Sequence, residues 1–155
     1  MAKKISAHPA HHFQGQREEW QQFVESLELP VELMLGMGLE TSTARLNRDI
    51  TRFFNTIQRD ALGTRWRRKP ASERVTAVGF HEHMASNTHV HLAVGGGERV
   101  LNRLATNGLD TWKSIRVAGD FNFDRIHSLG RYSRYITKEL YGRAALEAVY
   151  VYSPD

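Results

Sequence analysis

The chain contains no cysteine among its 155 residues. This absence excludes disulfide bonds, thiolate-ligated zinc and a cysteine nucleophile, and it is compatible with a reducing, cytoplasmic location. Long apolar runs are absent too, since no segment approaches the roughly 20 residues of a membrane-spanning helix. The lysines Lys3 and Lys4 precede no apolar stretch of the kind found in secretory signals. We therefore expect an intracellular protein with no membrane segment.

No internal repeat, low-complexity tract or linker divides the chain. Its length suits one domain with a real core, and the shares of hydrophobic (41%) and charged (25%) residues are those of a globular protein. Residues 1–16 are polar and include His8, His11 and His12. We predict a flexible N-terminal arm at residues 1–16 and a single domain at residues 17–155.

Acidic residues are fewer than basic ones, 17 against 21, which leaves a net charge of +4. Such an excess suits a polyanionic partner. The cations cluster in one segment, Arg65-Trp66-Arg67-Arg68-Lys69. Its cations can contact phosphates while the indole stacks on a base, so we predict a DNA-binding segment here. A solvated basic loop is the alternative interpretation.

Apolar spacing predicts both helices and strands. Helical periodicity favours helices at 17–27, 43–62, 98–105 and 130–148, and β-type patterns favour strands at 31–39, 75–83, 89–94 and 111–117, with a shorter strand or an extended turn at 121–126. The short connection between the second and third strands favours a β-hairpin. This order predicts an α+β fold, with an antiparallel-rich sheet and helices packed on it.

The tripeptide His89-Val90-His91 begins an apolar run that ends at Val94. Residues i and i+2 of a strand share a face, so the two imidazoles lie side by side. Two imidazoles and a carboxylate with open positions can form a catalytic site for a divalent cation. Eight histidines in 155 residues give about 0.4 such tripeptides by chance, and His81-Glu82-His83 is a second instance. The apolar strand favours the later pair, and a metal-free polar hairpin surface is the alternative.

The third metal ligand depends on the register of the hairpin. If residue 83 opposes residue 89, His83 shares the face of His89 and His91. If residue 82 opposes residue 89, Glu82 shares that face, because a slip of one residue reverses every side chain. Hard cations such as Mg²⁺ and Mn²⁺ prefer oxygen ligands, so we predict Glu82 as the third ligand and keep His83 as the alternative.

Tyr132, Tyr135 and Lys138 follow one another at intervals of three residues, so they lie along one face of a predicted helix. A tyrosine hydroxyl can attack a phosphodiester and form a covalent phosphotyrosine. A free phenol has a pKa near 10, and a neighbouring ammonium favours its ionised form. The alternative is an amphipathic helix whose tyrosines lie at the edge of the core.

Taken together, these motifs resemble the HUH endonucleases, and among them the initiators of rolling-circle replication (Rep proteins). That family carries an apolar strand, a glutamate shortly before a His-hydrophobe-His strand, and a Tyr-x-x-Lys helix. The matching pieces here are Leu33 to Leu39, Glu82, His89-Val90-His91 and Tyr135-Ile136-Thr137-Lys138. The likeness extends from about Val31 to Leu140.

The resemblance implies a five-stranded antiparallel sheet flanked by helices and a dependence on Mg²⁺ or Mn²⁺. It also implies nicking of single-stranded DNA at an origin hairpin through a 5′-phosphotyrosine, followed by rejoining. Tyr135 is then the nucleophile, because Lys138 follows it by one turn as the family pattern requires. Tyr132 is a second nucleophile or a neighbour. Unwinding would need a partner such as a host helicase.

Two other functions fit the same features. An IS200-type transposase is also an HUH enzyme of similar size, and it would form a self-dimer that exchanges tyrosine helices. A non-catalytic domain would bind single-stranded nucleic acid through the sheet, the aromatic residues and the basic loop. Its binding would not change when EDTA removes metal.

Overall fold

The computed structural model describes residues 9–82, 86–140 and 147–153 of the chain. The elements in chain order are α1 (Pro9–Ser26), β1 (Val31–Gly36), α2 (Thr43–Leu62), β2 (Thr76–Glu82), β3 (His89–Gly95), α3 (Glu98–Ile115), β4 (Phe121–Arg125), α4 (Leu129–Ile136) and β5 (Val149–Tyr152). Two short 3₁₀ turns, Trp66–Arg68 and Ala71–Glu73, join α2 to β2. Among these described residues, none of the helices has both the length and the apolar character to cross a membrane.

The five strands form one antiparallel sheet in the order β4-β1-β3-β2-β5. This confirms the predicted fold class. The hairpin of β2 and β3 lies inside the sheet, with β1 beside β3 and β5 beside β2. Because side chains alternate along each strand, the central strands contribute to a separate apolar layer on each face. Both faces are covered by helices.

The helices α2 and α3 cover one face of the sheet. The helix predicted at 43–62 is confirmed as α2, and the apolar residues of its core-facing stripe are all buried: Leu46, Ile50, Phe53, Phe54 and Ile57. The ring of Phe53 packs edge-on against Trp112 of α3, with 5.7 Å between ring centroids. The Trp112 indole N–H donates to the carbonyl of Gly36 at 2.9 Å. This layer fixes β1 beneath the two helices.

The helices α1 and α4 cover the opposite face. Phe80 and Val78 of β2 pack there against Val24 of α1 and against Tyr132 and Ile136 of α4, and all five are buried. The helix α1 begins at Pro9, so residues 9–16 of the segment expected to be an arm belong to this helix. The face that carries α1 and α4 is called here the α4 face, and the other is called the α2 face.

The strand predicted at 111–117 is wrong, because α3 continues as a helix to Ile115. The helix predicted at 98–105 ends shortly before the pair Asn107-Gly108, which is typical of a helix end. Instead Gly108 is buried inside the helix, where a Cβ atom would collide with the ring of Phe121. The glycine therefore permits close packing of α3 on β4 and does not mark the end of the helix.

The predicted C-terminal helix at 130–148 is too long. The helix α4 ends at Ile136, residues 141–146 lie outside the described residues, and Val149–Tyr152 forms the edge strand β5. Its tyrosines Tyr150 and Tyr152 pack on the α2 face. Four residues give too little alternation for a strand to be recognised in isolation. Pairing with β2 supplies the hydrogen bonds that hold them extended.

Candidate metal centre and tyrosine site

The register of the β2–β3 hairpin decides which residues meet at its end. Glu82 pairs with His89 and Phe80 pairs with His91. Glu82 therefore shares the α4 face with both histidines, as predicted. His83 lies outside the described residues. His81 points to the α2 face, where its Nε2 lies 2.8 Å from Asn47 Oδ1. Burial lowers the pKa of His81 to about 4, so its imidazole is neutral.

Glu82, His89 and His91 bring their ligand atoms within 4.8 Å of one another. The Oε2 atom of Glu82 lies 3.1 Å from His89 Nε2 and 3.4 Å from His91 Nε2. The second carboxylate oxygen, Oε1, is buried and has no hydrogen-bond partner among the described residues. A buried carboxylate oxygen without a donor is costly unless a cation satisfies it. Two imidazoles and this carboxylate could hold a metal ion.

The carboxylate of Glu82 is ionised although its side chain is only 1% exposed. Burial alone raises its pKa, but hydrogen bonds and charge from His91 and then Lys138 outweigh burial and lower the pKa to about 2. The Lys138 ammonium lies 3.2 Å from Glu82 Oε2. Burial opposes the charge of Lys138, but the hydrogen bond and charge of Glu82, together with those of Tyr135, outweigh burial and raise the pKa of the ammonium above its usual value. The site therefore holds a negative ligand beside a fixed cation.

Tyr135 and Lys138 lie beside this group at the end of α4. The Tyr135 hydroxyl is 3.5 Å from His91 Nε2, and its side chain is 47% exposed. The Lys138 ammonium lies 4.0 Å from the centre of the Tyr135 ring. Lys138 lies two residues beyond Ile136, the last residue of α4, and its backbone N–H donates to the Tyr135 carbonyl in a tightened final turn. The structure thus brings together the five residues that the sequence predicted as catalytic or metal-binding.

Tyr132 has different surroundings from Tyr135. Its ring is 7% exposed, and its hydroxyl donates to the Leu92 carbonyl at 2.7 Å. Burial raises the pKa of this phenol well above its ordinary value. The sequence left open whether Tyr132 is a second nucleophile or only a neighbour of Tyr135. The structure favours a neighbour with a structural role, because the Tyr132 hydroxyl anchors α4 to β3.

Two polar contacts from α1 hold α4 in place. Ser133 donates to Glu25 Oε1 at 2.6 Å, and the Gln21 amide donates to Thr137 Oγ1 at 3.1 Å. Ser128 caps the start of α4 by accepting the Arg131 N–H. The sequence pattern alone indicates no role for α1 at this site. These contacts join residues more than 100 positions apart, so no local pattern could reveal them.

A cleft of about 260 Å³ lies next to Tyr135 and His91. Glu32 and Met34 of β1 and Asn122 of β4 also line it. Met34 pairs with His91 on one side and with Asn122 on the other, so the sheet order alone brings these side chains together. None of these three residues could be recognised from the sequence as part of the site, because each lies far along the chain from the histidine motif.

The basic segment 65–69 lies apart from the metal centre, on the side of α2. Trp66 is 7% exposed and packs in the core of the α2 face. The expectation that its indole stacks on a base is therefore wrong. The guanidinium of Arg67 instead lies 4.5 Å from the centre of the indole. Arg65, Arg67 and Arg68 remain exposed, and Lys69 is half-buried.

Comparisons with protein-family models, curated proteins and solved structures found no match for this chain. The geometry alone defines its class. It is an α+β protein with a five-stranded antiparallel sheet, and that sheet carries a candidate metal centre next to an exposed tyrosine.

Proposed function

We propose that this protein is a metal-dependent nicking and joining enzyme for single-stranded DNA, of the HUH type found in initiators of rolling-circle replication. One observation carries the proposal. An exposed tyrosine hydroxyl lies 3.5 Å from His91, which belongs to the group that could hold a metal. A tyrosine placed next to such a group, with an ammonium over its ring, is suited to attack an anionic phosphodiester.

The ligand chemistry supports Mn²⁺ or Mg²⁺ as the metal. Glu82 supplies oxygen, His89 and His91 supply nitrogen, and three protein ligands leave further positions open. Within the described residues, the buried Oε1 of Glu82 has no hydrogen-bond partner, so a cation could satisfy it. A bound divalent ion would supply Lewis acidity toward the non-bridging oxygens of a phosphodiester.

Tyr135 performs the bond exchange in this proposal. Its phenolic oxygen forms a bond to phosphorus, and the bond from phosphorus to the 3′ oxygen breaks. The phenolic proton passes to solvent, to which Tyr135 is exposed, and the leaving oxygen takes up a proton as a 3′-hydroxyl. The product is a 5′-phosphotyrosine. Attack by a 3′-hydroxyl on that linkage reverses the step and joins the strands.

Lys138 stabilises charge during this exchange. Its ammonium lies 4.0 Å from the centre of the Tyr135 ring, so it favours the phenolate and the charge that develops on phosphorus. The carboxylate of Glu82 holds the ammonium in place at 3.2 Å. Ser133 and Thr137, through their contacts with α1, orient the helix that carries Tyr135.

The arrangement within one chain favours an initiator-type nickase over a transposase. Tyr135 meets His91 of its own chain, and α4 packs on α1 of the same chain. A transposase that exchanges tyrosine helices would complete this site with a second copy. Here the described residues of a single chain assemble the site.

Formation of a covalent adduct tests the proposed function. The chain is incubated with a panel of single-stranded oligonucleotides and Mn²⁺, and the products are separated in SDS. We expect an SDS-stable protein–DNA adduct that Tyr135→Phe abolishes and EDTA prevents. Tyr132→Phe is the matched control and should still form the adduct, because its hydroxyl faces the core. An adduct that persists in Tyr135→Phe contradicts the assignment, and unaltered DNA binding with no adduct indicates a non-catalytic binder.

A further inference from the structure

A groove of about 680 Å³ runs along the outer surface of α2 and ends at the basic segment. Arg48, Arg52, Arg59 and Arg67 line it and are exposed. The first three recur at intervals of four and seven residues, so they lie along one helical face. Their row extends roughly 16 Å along the helix axis, which matches about five nucleotides of a strand in duplex geometry at 3.4 Å each.

The charge of this groove is poorly balanced by acidic residues. Within the described part of the chain, Arg48, Arg52 and Arg67 form no ion pair with a carboxylate. Arg59 contacts Asp60 at 3.5 Å in an exposed pair, which contributes little. A row of exposed guanidinium groups without acidic partners is suited to bind phosphates, because each can form two parallel hydrogen bonds to phosphate oxygens.

The polar residues between the arginines are held in fixed positions. The hydroxyl groups of Thr51 and Tyr150 lie 2.8 Å apart, and Asn55 accepts from the Tyr152 hydroxyl at 2.8 Å. Both tyrosines belong to β5, so this edge strand supports the groove from below. Arg67 is held by its contact with the Trp66 ring at the far end. Thr51, Asn55 and Arg67 are therefore already held in place before a ligand binds, which lowers the cost of ordering at these three positions.

The groove and the candidate metal centre lie on opposite faces of the same strand. Asn47, at one end of the groove, contacts His81, and the next residue of β2 is the metal-ligand candidate Glu82. A nucleic acid in the groove is therefore separated from Tyr135 by the thickness of the sheet. The arginines cannot contact the phosphate that Tyr135 would attack.

We propose that the α2 groove is a second DNA-binding surface that holds the sugar–phosphate backbone independently of base sequence, on the face of the sheet opposite the nicking site. This inference rests on the proposed function in that DNA is taken to be the polyanion. In this proposal the arginines of α2 and Arg67 contribute to the affinity for DNA, and the residues of the α4 face carry out strand cleavage. The backbone of a single strand and that of a duplex offer the same phosphate chemistry.

Equilibrium binding across a range of salt concentrations tests this proposal. The full chain is titrated against fluorescently labelled DNA of arbitrary sequence, single-stranded and duplex, in EDTA so that no cleavage is required. Arg48→Gln/Arg52→Gln/Arg59→Gln removes three charges, and Arg48→Lys/Arg52→Lys/Arg59→Lys keeps them. Glutamine and lysine both suit a helix surface, and thermal unfolding verifies that each variant is folded. Arg99→Gln/Arg103→Gln/Lys113→Gln on α3, outside the groove, removes three charges elsewhere.

We expect the glutamine variant to bind every sequence more weakly. Its slope of log K against log salt should flatten by about 2 for single strands and about 2.7 for duplex DNA if each arginine neutralises one phosphate. The lysine variant should keep most of the slope, and the α3 control should behave as the wild type. A larger loss on one form of DNA identifies the preferred backbone and supports the proposal.

Unchanged affinity and slope in the glutamine variant overturn the inference, as does an equal loss in the α3 control. These outcomes are separate from those of the adduct assay. If the glutamine variant binds DNA more weakly but the wild type forms no adduct, the proposed nicking function is contradicted and the groove proposal is supported. If the wild type forms the adduct but the glutamine variant binds DNA as well as the wild type does, only the groove proposal is contradicted.

Discussion

At the scale of single residues, Tyr132 and Tyr135 show how much depends on the surroundings of a hydroxyl. They lie three residues apart on α4, yet one donates to the Leu92 carbonyl in the core and the other lies exposed beside His91. A buried donor contributes to stability because its carbonyl partner has no access to water. An exposed phenol contributes little to folding and is free to react.

Removal of each hydroxyl should therefore affect stability differently. Tyr132→Phe leaves the Leu92 carbonyl without this donor and should lower the free energy of unfolding by about 1–3 kcal/mol. Tyr135→Phe, at an exposed position, should change it by less than about 0.5 kcal/mol. Urea denaturation at neutral pH measures both values. Equal effects would contradict the assignment of a structural role to Tyr132 and a surface role to Tyr135.

The candidate metal ligands could be predicted from local sequence, but their grouping depended on register. Alternation along a strand predicted that His89 and His91 share a face. The choice between Glu82 and His83 rested on the preference of hard cations for oxygen, and the pairing of Glu82 with His89 supports that choice. The predicted stacking of the Trp66 indole on a base is wrong. Its neighbours in the sequence are charged, but its contacts in the fold are apolar.

At the scale of elements, glycines account for much of the difference between the predicted and observed helices. Gly108 lies three residues beyond the predicted end of the helix at 98–105, yet in the structure it is within α3, against the ring of Phe121. Among the described residues, and apart from its chain neighbours and the backbone of its own helix, Gly15 of α1 has no atom within 4 Å of the position that a Cβ would occupy. The two glycines share a backbone conformation but differ in their tertiary neighbours.

The same substitution should have opposite effects at these two positions. Gly108→Ala forces the Phe121 ring or the helix to move, and it should destabilise the protein by about 1–3 kcal/mol despite the better helix propensity of alanine. Gly15→Ala should stabilise it by up to about 1 kcal/mol, because alanine loses less backbone freedom in a helix. Chemical denaturation of both variants measures the sign of each change in the free energy of unfolding. A stabilising Gly108→Ala would show that α3 is not packed closely on β4.

At the scale of the whole molecule, the sheet separates the sites of the two functions that we propose. The α4 face carries the candidate metal centre and Tyr135, and the α2 face carries the larger core and the arginine groove. The hairpin of β2 and β3 connects them, because its side chains alternate between the faces. A ligand that joins the two strands of this hairpin should therefore stabilise the folded chain as a whole.

Metal binding should be visible as a shift in thermal unfolding. We expect Mn²⁺ to raise the midpoint of the wild type, with about 2.7 kcal/mol of stabilisation at 100 times the dissociation constant, and EDTA to reverse the shift. Glu82→Gln should remove most of the shift, since it removes the anionic ligand. His127→Ala, at an exposed histidine outside the triad, should keep it. A shift of wild-type size in Glu82→Gln would contradict the proposed metal centre.

Local sequence patterns predicted the fold class, the hairpin and the position of two histidines on one face, because alternation and helical periodicity are properties of neighbouring residues. It also placed Tyr135 and Lys138 one turn apart. The folded chain was needed to show that Glu82 joins the histidines, that Tyr132 is buried and Tyr135 exposed, and that residues 149–152 form a strand. Those outcomes depend on register and on contacts between distant segments, and no local pattern contains that information.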